Sequence, residues 1–324
     1  MARTRLYRNG VLEKENFPVA DISEYVDDPG VVVWLDLCTA DGEGLAEVEE
    51  EFGLHALAIE DAAHEHQRPK LDRYGTHLFV SAYAVALDPK TSELASSEIA
   101  MFVMPNALIT VRKERDFDID EVVRRWDETP ELVKEGTGFL LYGVLDFVVD
   151  GHFEAVQDLD EKIDALEDQL FDESRDMVRE VQRRSFELRR NLILLRRFVL
   201  PMREVVNSLM RRDVKVVNDT LMPYYQDVYD HVLRATEWTE SLRDLVSTVL
   251  ETNLTIQGNR MNLIMKQVTS WAAIIAVPTA VTGFYGQNVP FPGYLKEWGF
   301  AISSVVIVGL SGFLYWIFRR KDWL

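Results

Sequence analysis

The sequence predicts an α/β domain, then a long helical region, then two membrane-spanning helices. Three observations carry this. Short β-branched and alternating runs are confined to the first 135 residues. Helical periodicity then runs almost unbroken. Two long uncharged apolar stretches close the chain.

In the first part, residues 1–135, Val31 to Leu37 is a β-branched run and Thr76 to Leu87 alternates. Glu98 to Met104 and Ala107 to Val111 follow, with turn residues between them. These read as strands, and Gly44 to Glu51 and Ile119 to Trp126 as short helices. The expected architecture is a central sheet with helices around it.

The second part, residues 136–267, is helical. Phe139 to Leu170 carries apolar residues at three and four spacing and turns acidic from Asp158. Met177 to Leu209 carries Arg183, Arg184, Arg189, Arg190, Arg196 and Arg197, and is expected to pair its basic face with that acidic helix. Pro201 is a candidate kink. Pro223 interrupts the pattern, and from Tyr225 nothing breaks it again. Apolar residues recur at Val228, Val232, Ala235, Leu242, Val246 and Val249. Gly258 costs only about 1 kcal/mol. A helix from there to Tyr285 spans about 90 Å at 1.5 Å per residue. A helix of that length needs partners, and an oligomeric stalk supplies them.

The third part, residues 268–324, is of another kind. Val268 to Tyr285 and Gly299 to Phe318 hold no charged residue. Each is near the ~20 residues that cross a bilayer core as helix. The connection, Gly286 to Trp298, holds Pro290, Pro292 and Gly293. Arg260 and Lys266 precede the first helix, and Arg319, Arg320 and Lys321 follow the second. The positive-inside rule therefore places both ends in the cytoplasm. The start, with Arg3, Arg5 and Arg8 but no apolar run, is not expected to act as a signal peptide. The expected location is the inner cell membrane.

The charge balance, 54 acidic against 35 basic residues and a net charge of -19, argues against nucleic-acid binding. It suits cation handling and equally an ordinary solvated surface. The single cysteine, Cys38, excludes an intrachain disulfide and a thiolate zinc cluster.

One face of the first membrane helix reads Asn262, Met265, Thr269, Ala272, Ala276, Thr279, Gly283. Apart from Met265, these are small or polar. Such a stripe permits close helix packing. It equally suits a pore lined by one helix from each subunit of an oligomer, since polar groups in hydrocarbon need partners or water. With hydroxyls and amides but no carboxylate, the pore would pass a hydrated ion, because Mg2+ dehydrates reluctantly.

That helix ends in Tyr285-Gly286-Gln287-Asn288. This resembles the Gly-Met-Asn signature of the CorA family of divalent metal transporters, with Gln287 in place of methionine. Phe52-Gly53-Leu54-His55, Glu60-Asp61, His66-Gln67-Arg68-Pro69-Lys70, Pro201 to Val205, Asp227 to His231 and the tail Arg319 to Leu324 resemble further stretches of that family. The resemblance implies a funnel-shaped homopentamer carrying Mg2+, with Co2+, Ni2+ and Zn2+ left open. It implies that Asn288 holds the ion's hydration shell, with Tyr285, Gly286 and Gln287 shaping the mouth. It further implies a regulatory divalent ion between subunits on Asp61 and Asp227, with Glu60, Asp230 and His231 nearby. The loop departs from the family's Met-Pro-Glu-Leu run, reading Val289 to Tyr294 with Glu297 as its carboxylate.

A zinc-transporting branch of the same superfamily, also varying the signature's middle residue, is the alternative within the class. A membrane-tethered oligomeric scaffold is the alternative outside it. An enzyme is not expected: His64-Glu65-His66 lacks the spacing that puts two imidazoles on one helix face. There is also no phosphate-binding glycine loop and no nucleophile elbow.

Overall fold

The computed structural model describes the whole chain apart from residues 1, 29, 39–41, 65–67, 115, 171–174, 288, 291 and 295. It forms two compact units, residues 1–249 and 250–324.

The first unit is built on a seven-stranded sheet of order β2-β1-β3-β7-β6-β5-β4. The strands are β1 (Ala2–Arg8), β2 (Val11–Glu15), β3 (Val31–Cys38), β4 (Lys70–Arg73), β5 (Leu78–Leu87), β6 (Leu94–Val103) and β7 (Ala107–Arg112). Neighbours are antiparallel except β3 and β7, which run parallel. Central β3 is buried on both faces, which is why its sequence is apolar apart from Asp36 rather than alternating.

The two faces have separate cores. Val33, Leu35, Phe79, Ala100 and Phe102 meet α2 (Gly42–Phe52) and α3 (Ala56–Ala63), with α1 (Ser23–Val26) alongside. Trp34, Val80, Ile99 and Met101 point the other way, into a core with α4 (Ile119–Glu128), α6 (Thr137–Asp168), α7 (Arg175–Leu209) and the start of α8 (Met222–Tyr285). Short α5 (Pro130–Val133) joins α4 to α6. That core draws on both sides of residue 135.

Local chemistry sets these elements. Helix α4 starts where the Asp118 side chain accepts a bond from the Glu121 amide, and it buries Ile119, Val122, Val123 and Trp126 at helical spacing. Trp126 meets Trp34 edge-on, with ring centroids 5.1 Å apart. Gly143 of α6 leaves room for it: a Cβ there would lie 2.3 Å from Trp126 Nε1. Arg112 and Asp36, both buried, form a salt bridge at 2.6 Å across the parallel pair.

Two expectations are revised. Helix α8 begins at Met222 and takes Pro223 into its first turn, where the missing amide has no intrahelical acceptor to lose. Arg183 and Arg184 bond chiefly Glu180 and Glu187 of α7 itself, three and four residues away on the same face. Arg184 also reaches the cap of the acidic helix, its Nη1 donating to Gln169 Oε1 at 3.4 Å. Pro201, the candidate kink, lies inside α7.

The apolar periodicity of α8 is realised in the first unit: Val228, Val232, Ala235, Leu242, Val246 and Val249 are all buried. Tyr225, fully buried, donates to the Gly138 carbonyl at 2.8 Å.

The second unit holds the rest of α8 and α9 (Glu297–Arg320), both long and apolar enough to cross a membrane. Trp271 and Tyr315 join them, with ring centroids 6.5 Å apart.

Candidate functional site

Along α8 in the second unit, exposure sorts the residues by face. Ala273, Ile274, Val277, Pro278 and Val281 are half-buried. Asn262, Met265, Thr269, Ala272, Ala276, Thr279 and Gly283 are all exposed. The small and polar stripe is thus left uncovered within one chain. Large apolar side chains such as Trp271, Ile275 and Phe284 are also exposed, as a lipid environment or neighbouring copies would require.

Two features on this helix were not drawn from the sequence. Pro278 lies inside it, so the Ile274 carbonyl lacks its usual donor four residues on. The hydroxyls of Thr279 and Thr282 donate to the carbonyls of Ile275 and Pro278, at 3.2 and 2.8 Å. Threonine here is satisfied within the helix yet keeps oxygen lone pairs on its surface.

The helix stops at Tyr285. The Gly286 amide donates to the Thr282 carbonyl at 2.8 Å and the Gln287 amide to Phe284 at 3.3 Å, ending the helix within the signature. Tyr285 packs edge-on against Phe284 at 5.7 Å. Asn288 lies outside the described residues, as do Glu65, His66, Gln67 and Phe291.

The acidic positions fall in two places in the first unit. Asp61, on α3, accepts a bond from Lys70 Nζ at 2.6 Å, and Asp72 takes the same ammonium at 2.9 Å. Burial opposes that ammonium's charge, but the two carboxylates outweigh it and hold its pKa above the ordinary lysine value. Glu60 and Asp61 border an open recess of about 470 Å3 with Leu57, Lys70, Asp72 and Tyr74.

Asp227 and Asp230, on α8, are exposed, and His231 is half-buried with its ring 6.4 Å from Phe153 of α6. Asp227 and His231 act electrostatically on Tyr142 and Asp146 of α6. Asp146 is held above the usual carboxylate range, first by burial and then by neighbouring Asp150, although Arg125 bonds both at 3.0 Å. Burial also pushes the Tyr142 phenol up. Sequence reasoning missed this group. The signal was present as Tyr142, Asp146 and Asp150 at four-residue spacing inside an apolar run.

Asp61 and Asp227 do not meet within one chain, because α3 and α8 pack on opposite faces of the sheet. Among the described residues, no three His, Cys, Asp or Glu side chains converge to hold a metal ion.

A sheet-centred α/β unit is followed by a hairpin of two helices apolar enough to cross a membrane, one with a small and polar stripe that suits either close helix packing or a pore. A sequence model described as CorA-like Mg2+ transporter protein matches residues 29–320, and the chain belongs to that family. The family is one of ion transporters, not enzymes. The chain is 28% identical over 317 residues to the cobalt/magnesium transport protein CorA of Thermotoga maritima, covering 96% of this chain and 90% of that one. It is 31% identical over 314 residues to the putative metal ion transporter YfjQ of Bacillus subtilis, covering 95% and 94%. The zinc transport protein ZntB of Yersinia pestis is 24% identical over 296 residues, covering 90% and 88%. The solved CorA magnesium transporter of Methanocaldococcus jannaschii shares the fold with a TM-score of 0.78 at 19% identity, covering 100% of this chain and 99% of that one.

Proposed function

We propose that this transporter carries Mg2+ into the cell through a pore lined by α8 of several copies, five in the arrangement the resemblance implies. The observation that carries this is the exposed face Asn262 to Gly283, small or polar apart from Met265, on a helix apolar enough for lipid. Two membrane helices per chain enclose no water path alone, so the pore is an assembly property. Its described lining offers hydroxyl, amide and carbonyl oxygens and no charge. Such a wall suits an ion that keeps its water, as Mg2+ does. Asn288, with Tyr285, Gly286 and Gln287, would meet the hydrated ion at the outer mouth. Both termini would lie in the cytoplasm.

The opposite placement of Asp61 and Asp227 supports a regulatory ion shared between neighbouring subunits. Glu60 and Asp230 are exposed at the same two places, and His231 is half-buried beside Asp230. An ion bridging two subunits favours one arrangement of the ring over another, as a ligand-biased switch requires.

A second reading, transport of Zn2+, rests on Gln287 in the signature and on the zinc-transporting relative. Uptake into proteoliposomes of Mg2+, Zn2+, Co2+ and Ni2+, with and without a proton gradient, separates them. Voltage-driven Mg2+ uptake supports the first reading. Zn2+ uptake that needs the proton gradient overturns it.

A further inference from the structure

In a chain with net charge -19, one recess of the first unit has four cations and one carboxylate among its ten lining residues. It lies where the hairpin between β5 and β6 meets α6 and α7 and holds about 520 Å3. Lys90, Lys162, Arg183 and Arg184 line it, and Glu187 is the carboxylate among its described lining. A smaller recess of about 210 Å3 adjoins it, sharing Thr91, Ser92, Glu187 and Asn191 and adding Arg190 and Glu93.

The recess is framed by fixed contacts. Asn191 Nδ2 donates to the Ser92 carbonyl at 2.6 Å, and its Oδ1 accepts from the Leu94 amide at 3.4 Å. Lys162 Nζ donates to Ser92 Oγ at 3.1 Å. These contacts pin Ser92, whose φ of 59° is uncommon for a residue other than glycine. Arg183 and Arg184 are held by Glu180 and Glu187. Lys90, Lys162 and Arg190 form no ion pair among the described residues.

Like charges held together repel unless carboxylates or a ligand intervene. Glu180 and Glu187 offset Arg183 and Arg184, and Lys90 and Lys162 are the cations of the lining left without a carboxylate among the described residues. The arginine forks are engaged by Glu180 and Glu187, and the two lysines supply mobile point charges that suit phosphate oxygens. The volume falls within the range of small-molecule sites. Leu188 and Ala165 supply an apolar wall.

We propose that this recess binds a soluble anion carrying two or more phosphate groups. The site is separate from the transport path, and its test is binding rather than uptake.

Metal-free full-length protein, in nanodiscs of zwitterionic lipid, is titrated calorimetrically with sodium tripolyphosphate at low and high salt. The expected result is saturable binding that weakens with salt. Lys90→Gln combined with Lys162→Gln should lower the affinity at least about tenfold. Lys134→Gln, after α5, should leave it unchanged. Arg190→Gln, at an exposed position, serves as the second variant if the double variant fails to fold, and it should weaken binding in the same direction. Absence of saturable binding, or equal affinity in the variants, overturns the site. Tighter binding of submicellar dihexanoyl phosphatidate than of tripolyphosphate overturns the soluble source in favour of a lipid headgroup.

Discussion

Asp61 and Asp227 sit on helices packed against opposite faces of one sheet, α3 on one side and α8 on the other. No rotamer change brings them together within a chain. If an ion joins them, it joins two subunits. Each carboxylate is then half of one device, and removing either empties it. Asp61→Ala and Asp227→Ala should each raise, by about tenfold or more, the internal Mg2+ concentration that shuts uptake. The double variant should be no worse than the stronger single one, because residues acting as one unit are not additive. Proteoliposome uptake against a series of internal Mg2+ concentrations measures this. Additive shifts would mean two separate sites.

The second prediction concerns the outer mouth. Helix α8 ends within the signature, with Gly286 and Gln287 already bonded back into the helix. The carboxamide that follows, Asn288, is assigned to the ion's water shell. Asn288→Ala should abolish Mg2+ uptake while the oligomer elutes unchanged on size exclusion. Full activity in that variant would remove the residue from the pore.

Much of this fold was legible because burial and periodicity coincide. Central β3 read as a strand from Val31, Val32 and Val33, and every position of the apolar repeat of α8 from Val228 to Val249 is buried, with polar Thr236 and Thr239 buried among them. Strand β1 was not read, because Arg3 and Arg5 disguise it. Arg5 is buried only by virtue of Asp127, at 2.9 Å, and Glu15, at 3.0 Å, partners far away or across a turn. Strand β4 is short, and its Lys70 and Asp72 spend their charges on each other and on Asp61. Helix α3 is mostly alanine and acid, with too few large apolar residues to show a face. The stripe on α8 was visible as spacing, but its exposure is a property of packing. The Tyr142, Asp146 and Arg125 group was hidden because Arg125 arrives from a different helix.

A third prediction tests the tight crossing of α4 and α6. Gly143 admits the Trp126 indole so closely that a Cβ would lie 2.3 Å from Nε1. Gly143→Ala gains helix propensity of about 1 kcal/mol. It must also displace a fully buried tryptophan, and overpacking of this kind costs about 1–3 kcal/mol. The second effect should win, with net destabilisation in urea unfolding followed by tryptophan fluorescence. Unchanged stability would mean that the indole shifts freely.

The last prediction is a pH dependence. His152 of α6 is fully buried against β5, its Nε2 donating to the Tyr83 carbonyl at 2.7 Å, while Nδ1 has no partner among the described residues. Burial lowers its pKa to about 4, only partly opposed by that bond. Above the ordinary histidine value the ring is neutral whether the chain is folded or not, and pH has no effect through it. Below that value the unfolded chain takes up a proton that the folded chain refuses. Stability should therefore fall as pH drops from about 6.5 toward about 4, by roughly 3 kcal/mol in total at about 1.36 kcal/mol per pKa unit. His152→Gln keeps a donor for the Tyr83 carbonyl but cannot titrate, so it should flatten that slope even if it is less stable at neutral pH. Urea unfolding at pH 7 and pH 5 for both proteins decides the matter, and parallel losses in the two would assign the acid sensitivity to other groups.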